Sequence, residues 1–189
     1  RPPRSTLFPY TTLFRSPWVP PSPNMPSPET AVVYPGTCFF EGTNISEGRG
    51  TTKPFEQFGA PFIDGSQLAK TLNGLNLPGV GFRPVFFQPT TGKYADEICQ
   101  GVQVHVLNRT VFDPLCTGLE ALATVRRLYP EAFSWRIPQG GIHNFDRLAG
   151  TDLIRNALDR DLPVAELLSS WADVLQSFAE IRHRYLAYA

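Results

Sequence analysis

Apolar and polar positions alternate with clear periods over only part of this chain. Val102, Val104 and Val106 alternate with Gln103, His105 and Leu107, which predicts a strand over Cys99–Leu107 with one apolar face and with Gln103 and His105 on the other. Leu115, Leu119, Leu122, Val125 and Leu128 recur at helical spacing between Asp113-Pro114, a cap followed by a first-turn proline, and Pro130, a stop. Leu68, Leu72 and Leu75 give a shorter helix over Ser66–Leu75, ended by Asn73-Gly74 and Pro78-Gly79. Val80–Phe87 is aromatic and β-branched, so a strand, and Pro84 argues for an edge or a bulge. From Pro163 onward Val164, Leu167, Leu168, Trp171, Leu175, Phe178, Ile181 and Tyr185 fall three or four apart, which predicts the last and longest helix with its stripe turned to the core.

Between these elements the pattern is weaker. Ser27-Pro28-Glu29 starts a helix that Pro35-Gly36 should interrupt, and Thr37–Glu41 reads as a second short turn. Phe55–Ile63 should include a strand, Phe133–Ile137 a short one, and Phe145–Leu158 one or two short helices around Gly150. Strands and helices interleave irregularly, so the expected class is α+β. Pro17–Thr30 is too rich in proline for a helix or central strand and should run extended, with Trp18 and Val19 pinned on the body. It is either a connector or, through Trp18 and Asn24, part of a sugar-binding wall.

Composition narrows the classes. The chain has 189 residues, 42% of them apolar, enough for one domain with a core. Its formal net charge is +0, which leaves no electrostatic footprint for nucleic acid or an anionic membrane. No apolar run reaches the roughly 18 residues of a membrane span. The cysteines, Cys38, Cys99 and Cys116, are too scattered for a disulfide framework or a zinc site and read as buried free thiols. Thr6–Ser16, TLFPYTTLFRS, resembles the in-frame translation of a sequencing adapter, so Arg1–Ser16 is set aside from fold reasoning and expected not to pack.

The chemistry is concentrated in Tyr34–Asp64, where Glu41, Asn44, Ser46, Glu47, Arg49, Thr51, Thr52 and Lys53 crowd a glycine-rich backbone. Glycine lets such a loop approach a ligand closely. Two carboxylates can serve glycoside hydrolysis when they flank a bond, and the spacing of Glu41 and Glu47 leaves either separation class reachable. The competing reading is that they cap helices or pair with Arg49, whose planar fork also suits a carboxylate or phosphate ligand. SEGRGTT has neither the order of a P-loop nor that of a dinucleotide fingerprint. His105 is either a satisfied structural histidine or a residue that points into the cleft.

The motifs PWVPPSPNMPSPET, YPGTCFFEGTNISEGRGTTKPFE, GAPFID, LPGVGFRP, CQGVQVHV and RYLAY resemble a bacterial family of peptidoglycan exo-β-N-acetylmuramidases, formerly a domain of unknown function. The resemblance covers nearly everything after Ser16. It implies a glycosidase that releases N-acetylmuramic acid from non-reducing ends, works in the periplasm or outside the cell, and needs no metal or other cofactor. It implies a Rossmann-like first half and a barrel-like second half with the cleft between them. This chain resembles the second half, Ala31–Ala189, with the first half as its missing partner. The Pro-Glu-His-Gly stretch associated with catalysis in the first half has no counterpart here, so the fragment is expected to be inactive alone. Glu41 and Glu47 are the candidate catalytic pair, and Asn24, Tyr34, Asn44, Arg49, Thr51 and His105 the candidate contacts to a muramyl glycan. A lost partner half would also leave some of Trp18, Tyr34, Phe39 and Phe40 unusually exposed. The alternatives are a muramyl-glycan-binding module without catalysis, and a purely structural domain.

Overall fold

The structure is a computed structural model that describes residues 17–138 and 140–186. The expectation for Arg1–Ser16 lies outside the described residues. The class is α+β: among the described residues, seven α-helices surround a three-stranded antiparallel sheet of order β1-β3-β2. The strands are β1 (Gln57–Ala60), β2 (Val80–Phe87) and β3 (Cys99–Val106).

Strand β3 is central, and its alternation holds: Val102 and Val104 are buried while Gln103 and His105 lie on the other, half-exposed face. Phe58 faces Val102 across β1, and Phe82 faces Val104 across β2. The pair Gly59–Gly101 brings β1 and β3 unusually close, since a Cβ on Gly101 would lie 1.9 Å from the Phe58 carbonyl oxygen. Pro84 falls on the edge strand β2, where a proline is tolerated. The sheet does not close, so the barrel-like expectation is corrected. Phe133–Ile137 adds no fourth strand, and only an isolated bridge, Trp135 to Thr43, forms there.

Helix α1 (Pro28–Thr37) is capped by Ser27, whose hydroxyl accepts from Thr30 N. The buried Glu56 fastens this end by accepting from Thr30 Oγ1 at 2.7 Å and from Lys53 Nζ at 2.9 Å. Contrary to expectation, Pro35-Gly36 does not interrupt the helix. Gly36 is where α1 crosses α3 (Pro114–Leu128): a Cβ there would lie 1.8 Å from the Pro114 carbonyl oxygen, and one on Gly118 would lie 2.3 Å from that of Gly36. Helix α3 buries Leu119, Leu122 and Val125 as its stripe predicts, and its Arg126 and Arg127 suit the negative end of the helix dipole. Helix α2 (Gly65–Gly74), capped by Asp64, packs Leu68 and Leu72 into the same core. A 3₁₀ turn, Cys38–Gly42, follows α1 and buries Phe39 and Phe40, the latter stacked on Phe58 at 4.2 Å. Phe39 and Phe40 are thus core residues; of the aromatics expected at an exposed face, Trp18 is 38% exposed and Tyr34 half-buried.

The C-terminal region differs most from its pattern. Helices α4 (Asn144–Ala149) and α5 (Leu153–Asp159) lead into two further short helices, α6 (Val164–Ser169) and α7 (Ala172–His183), in place of one long one. At the break the Ser169 and Ser170 hydroxyls donate back to the carbonyls of Ala165 and Leu167. Val164 is buried, but α7 buries no residue, and Phe178 is 57% exposed. The longest helix among the described residues is α3 instead. In the strap, Trp18 Nε1 donates to Met25 O at 3.0 Å and Val19 is 80% exposed, so the segment folds on itself and Val19 is not pinned to the body.

Candidate functional site

The stretch from Glu41 to Arg49 forms one wall of an open cavity of about 710 Å³, lined by Glu41, Thr43, Asn44, Glu47, Arg49, Gly92, Lys93, Tyr94, Ser134 and Arg136. That volume lies within the roughly 300–1,000 Å³ usual for small-ligand sites. Glu41 sits on the 3₁₀ turn, and the chain then turns twice through Gly48 and Gly50, both at positive φ. A Cβ on Gly48 would lie 2.7 Å from the Gln57 carbonyl oxygen, so conformation and space both call for glycine. Thr51 closes the turn by donating to the Gly48 carbonyl at 2.6 Å.

The far wall is stitched on by Asn44. Its Nδ2 donates to Ala132 O at 2.7 Å, and its Oδ1 accepts from Ser134 N at 2.9 Å. Arg136 N donates to Gly42 O at 2.8 Å, and Asn144 N donates to Arg136 O at 2.9 Å. The third wall, Gly92–Tyr94, comes from the loop joining β2 to β3.

Charge in the cavity is organised around Glu47, only 5% exposed. Its Oε1 meets Arg49 Nε at 3.2 Å and its Oε2 meets Lys93 Nζ at 3.0 Å. Arg49 also donates to Glu41 Oε1 at 2.9 Å and lies 4.9 Å over the Phe55 ring. That ring packs edge-on against Tyr34 at 4.8 Å. Lys93 Nζ has two more acceptors, the carbonyls of Phe40 and Ile45, each at 2.7 Å. Burial pulls the Lys93 ammonium below its usual range, and the Glu47 charge opposes that pull. Both oxygens of Glu47 are therefore taken by cationic donors. Glu41 keeps Oε2 unbonded among the described residues and is the more exposed of the two carboxylates.

Of the residues singled out from sequence, Glu41, Asn44, Glu47 and Arg49 share this cavity. Tyr34 stands behind it, beneath Phe55. Thr51 lines a neighbouring hollow with Arg83 and Gln103. His105 lines a separate one with Glu29, Lys53 and Glu56, its Nε2 enclosed and without a partner among the described residues. Asn24 stays in the strap, where its backbone N bonds Ser22 Oγ. Lys93, Tyr94, Ser134 and Arg136 were not singled out. Lys93 lies outside every element expected from sequence and Arg136 in a short expected strand, and only long-range folding brings them here.

Residues 32–188 match the family model described as Exo-beta-N-acetylmuramidase NamZ, C-terminal. The chain belongs to this family. It is 48% identical over 174 residues to the peptidoglycan beta-N-acetylmuramidase NamZ of Bacillus subtilis (strain 168), covering 92% of this chain and 41% of that protein. It superposes on the crystal structure of a DUF1343 family protein from Bacteroides fragilis with a TM-score of 0.83 at 28% identity, covering 95% of this chain and 47% of that one. A second such protein from the same organism shares the fold at a TM-score of 0.64 and 24% identity, over 89% of this chain and 43% of that one. The chain thus spans less than half the length of the relatives it matches.

The cysteines take no part in the cavity. Burial, aided by the Glu41 charge, pushes the Cys38 thiol up to about 11, and burial with Glu97 does the same for Cys99. Alkylation of the native chain by iodoacetamide at pH 8 is expected to run about ten-fold or more slower at both than at a free cysteine. Mass-resolved labelling checks this, and urea should abolish the protection.

Proposed function

We propose that this chain supplies the sugar-holding wall of a peptidoglycan muramidase and that its cavity takes the N-acetylmuramic acid end of a glycan fragment. The observation that carries the reading is the placement of Glu41, Asn44, Glu47 and Arg49 around one open polar cavity in a chain of the NamZ C-terminal family. Tyr94 offers a ring for a sugar face, and Glu41 a free carboxylate oxygen for a hydroxyl. The geometry of Glu47 favours holding over cleavage, because both of its oxygens are held by cationic donors and neither is free to meet substrate. Of the candidate catalytic pair, Glu41 is the one left able to meet substrate, and Glu47 positions Arg49 and Lys93. Cleavage in this reading needs groups from the remainder of a longer protein, and the peptidoglycan substrate places the work in the bacterial periplasm or outside the cell.

Titrating the chain with N-acetylmuramic acid, followed by amide NMR, is expected to shift resonances around Glu41, Asn44, Lys93 and Arg136 and to leave Asn24 and His105 unmoved. A chromogenic muramide is expected not to turn over. An unperturbed spectrum at millimolar sugar would refute the holding role, and turnover by the chain alone would refute the division of labour.

A further inference from the structure

The cavity holds an uncommitted positive charge. Its cations are Arg49, Lys93 and Arg136, set against the carboxylates of Glu41 and Glu47. Arg49 is bound by both carboxylates and stacked on Phe55, so its charge is already balanced within the cavity even though N–H donors remain on it. Lys93 has Glu47 and two carbonyls for its three donors. Arg136 differs. Its side chain is exposed on the cavity wall and makes no ion pair or hydrogen bond among the described residues.

The base of that side chain is nonetheless fixed. Backbone bonds clamp Arg136 on both sides, to Gly42 and to Asn144, and the neighbouring Trp135 bridges Thr43. The charge is near enough to Lys93 to add to the pull that lowers the ammonium's proton affinity. A guanidinium on a clamped backbone, facing an open cavity beside a second cation, suits a planar monoanion.

We infer that Arg136, rather than Arg49, reads the lactyl carboxylate that distinguishes N-acetylmuramic acid from N-acetylglucosamine. This rests on the holding role proposed above. It makes Arg136 a specificity residue: the fixed ion pairs of Glu41, Glu47, Arg49 and Lys93 shape the cavity, and the free guanidinium selects the acidic sugar. Charge balance agrees, because a bound carboxylate would bring the cations and anions lining the cavity to equal number.

The test is calorimetric titration of the 189-residue chain and its variants with N-acetylmuramic acid, N-acetylglucosamine and acetate. The native chain is expected to prefer the acidic sugar over N-acetylglucosamine by about 10- to 100-fold, the worth of one charge-assisted bidentate contact. Arg136→Met should remove most of that preference by weakening the acidic sugar far more than N-acetylglucosamine, and keep the native circular dichroism. Arg136→Lys should restore part of it. A preference that survives Arg136→Met overturns the assignment while leaving the holding role intact. Acetate binding as tightly as the acidic sugar overturns it too, since the cavity would then be a general anion site. Failure of the native chain to bind either sugar overturns the holding role itself.

Discussion

Lys93→Met is expected to destabilise the fold by about 3–5 kcal/mol, the usual cost of removing one partner from a buried ion pair. The side chains of Lys93 and Glu47 are 17% and 7% exposed, so the Glu47 Oε2 left behind would have little access to water, with Arg49 holding the other oxygen. Two carbonyls, of Phe40 and Ile45, would lose their donor in the same step. Both lie in the segment that forms the wall of the cavity, so the loss falls on the site as well as on the fold. Urea unfolding of the native and variant chains measures the difference. A double variant, Lys93→Met with Glu47→Leu, should recover much of the loss, because an apolar pair of similar size needs no compensating charge. A single variant within about 1 kcal/mol of native stability would mean that the pair is solvated and does not organise the cavity.

What the sequence made legible, and what it did not, follows from the range of the interactions. Helix α3 and strand β3 are read correctly because their signals are local: a cap, a stop and one clear period each. Glu41, Asn44, Glu47 and Arg49 converge because they lie on one short, glycine-turned stretch. Lys93 and Arg136 escape because their neighbours in sequence say nothing of the cavity they reach. His105 and Thr51 show the converse, since each sits on a suitable element but faces a different hollow. The Pro35 region misleads because the contact between Gly36 and Gly118 favours continuing α1 against α3, a tertiary effect that outweighs local propensity. At the C-terminus the period of the apolar stripe is real, but a period states only that a face is apolar, not what it packs against. Leu175, Phe178 and Ile181 therefore share a face with Trp171 and still remain exposed on α7.

Phe145→Ala is expected to cost about 3–5 kcal/mol as well, and to loosen the sugar-holding wall along with the fold. Phe145 is fully buried at the start of α4, with Phe39 at 5.3 Å and Trp135 at 4.8 Å between ring centroids. Its backbone presses on the 3₁₀ turn so closely that a Cβ on Gly42 would lie 2.6 Å from the Phe145 Cα. The ring thus joins the turn that bears Glu41 to the segment that bears Ser134 and Arg136. Removing it leaves a void bounded on two sides by the cavity walls, and Trp135 is left with the Phe133 ring, edge-on at 4.9 Å. The expected readouts are a lower urea midpoint, a red shift in tryptophan emission and weaker binding of N-acetylmuramic acid. Phe145→Leu, which keeps most of the volume, should cost less than about 1.5 kcal/mol and hold the affinity within a few-fold. If Phe145→Ala lowers stability but leaves that affinity untouched, the ring does not couple the two walls, and the hydrogen bonds to Gly42, Asn44 and Asn144 hold the wall bearing Arg136 in place without it.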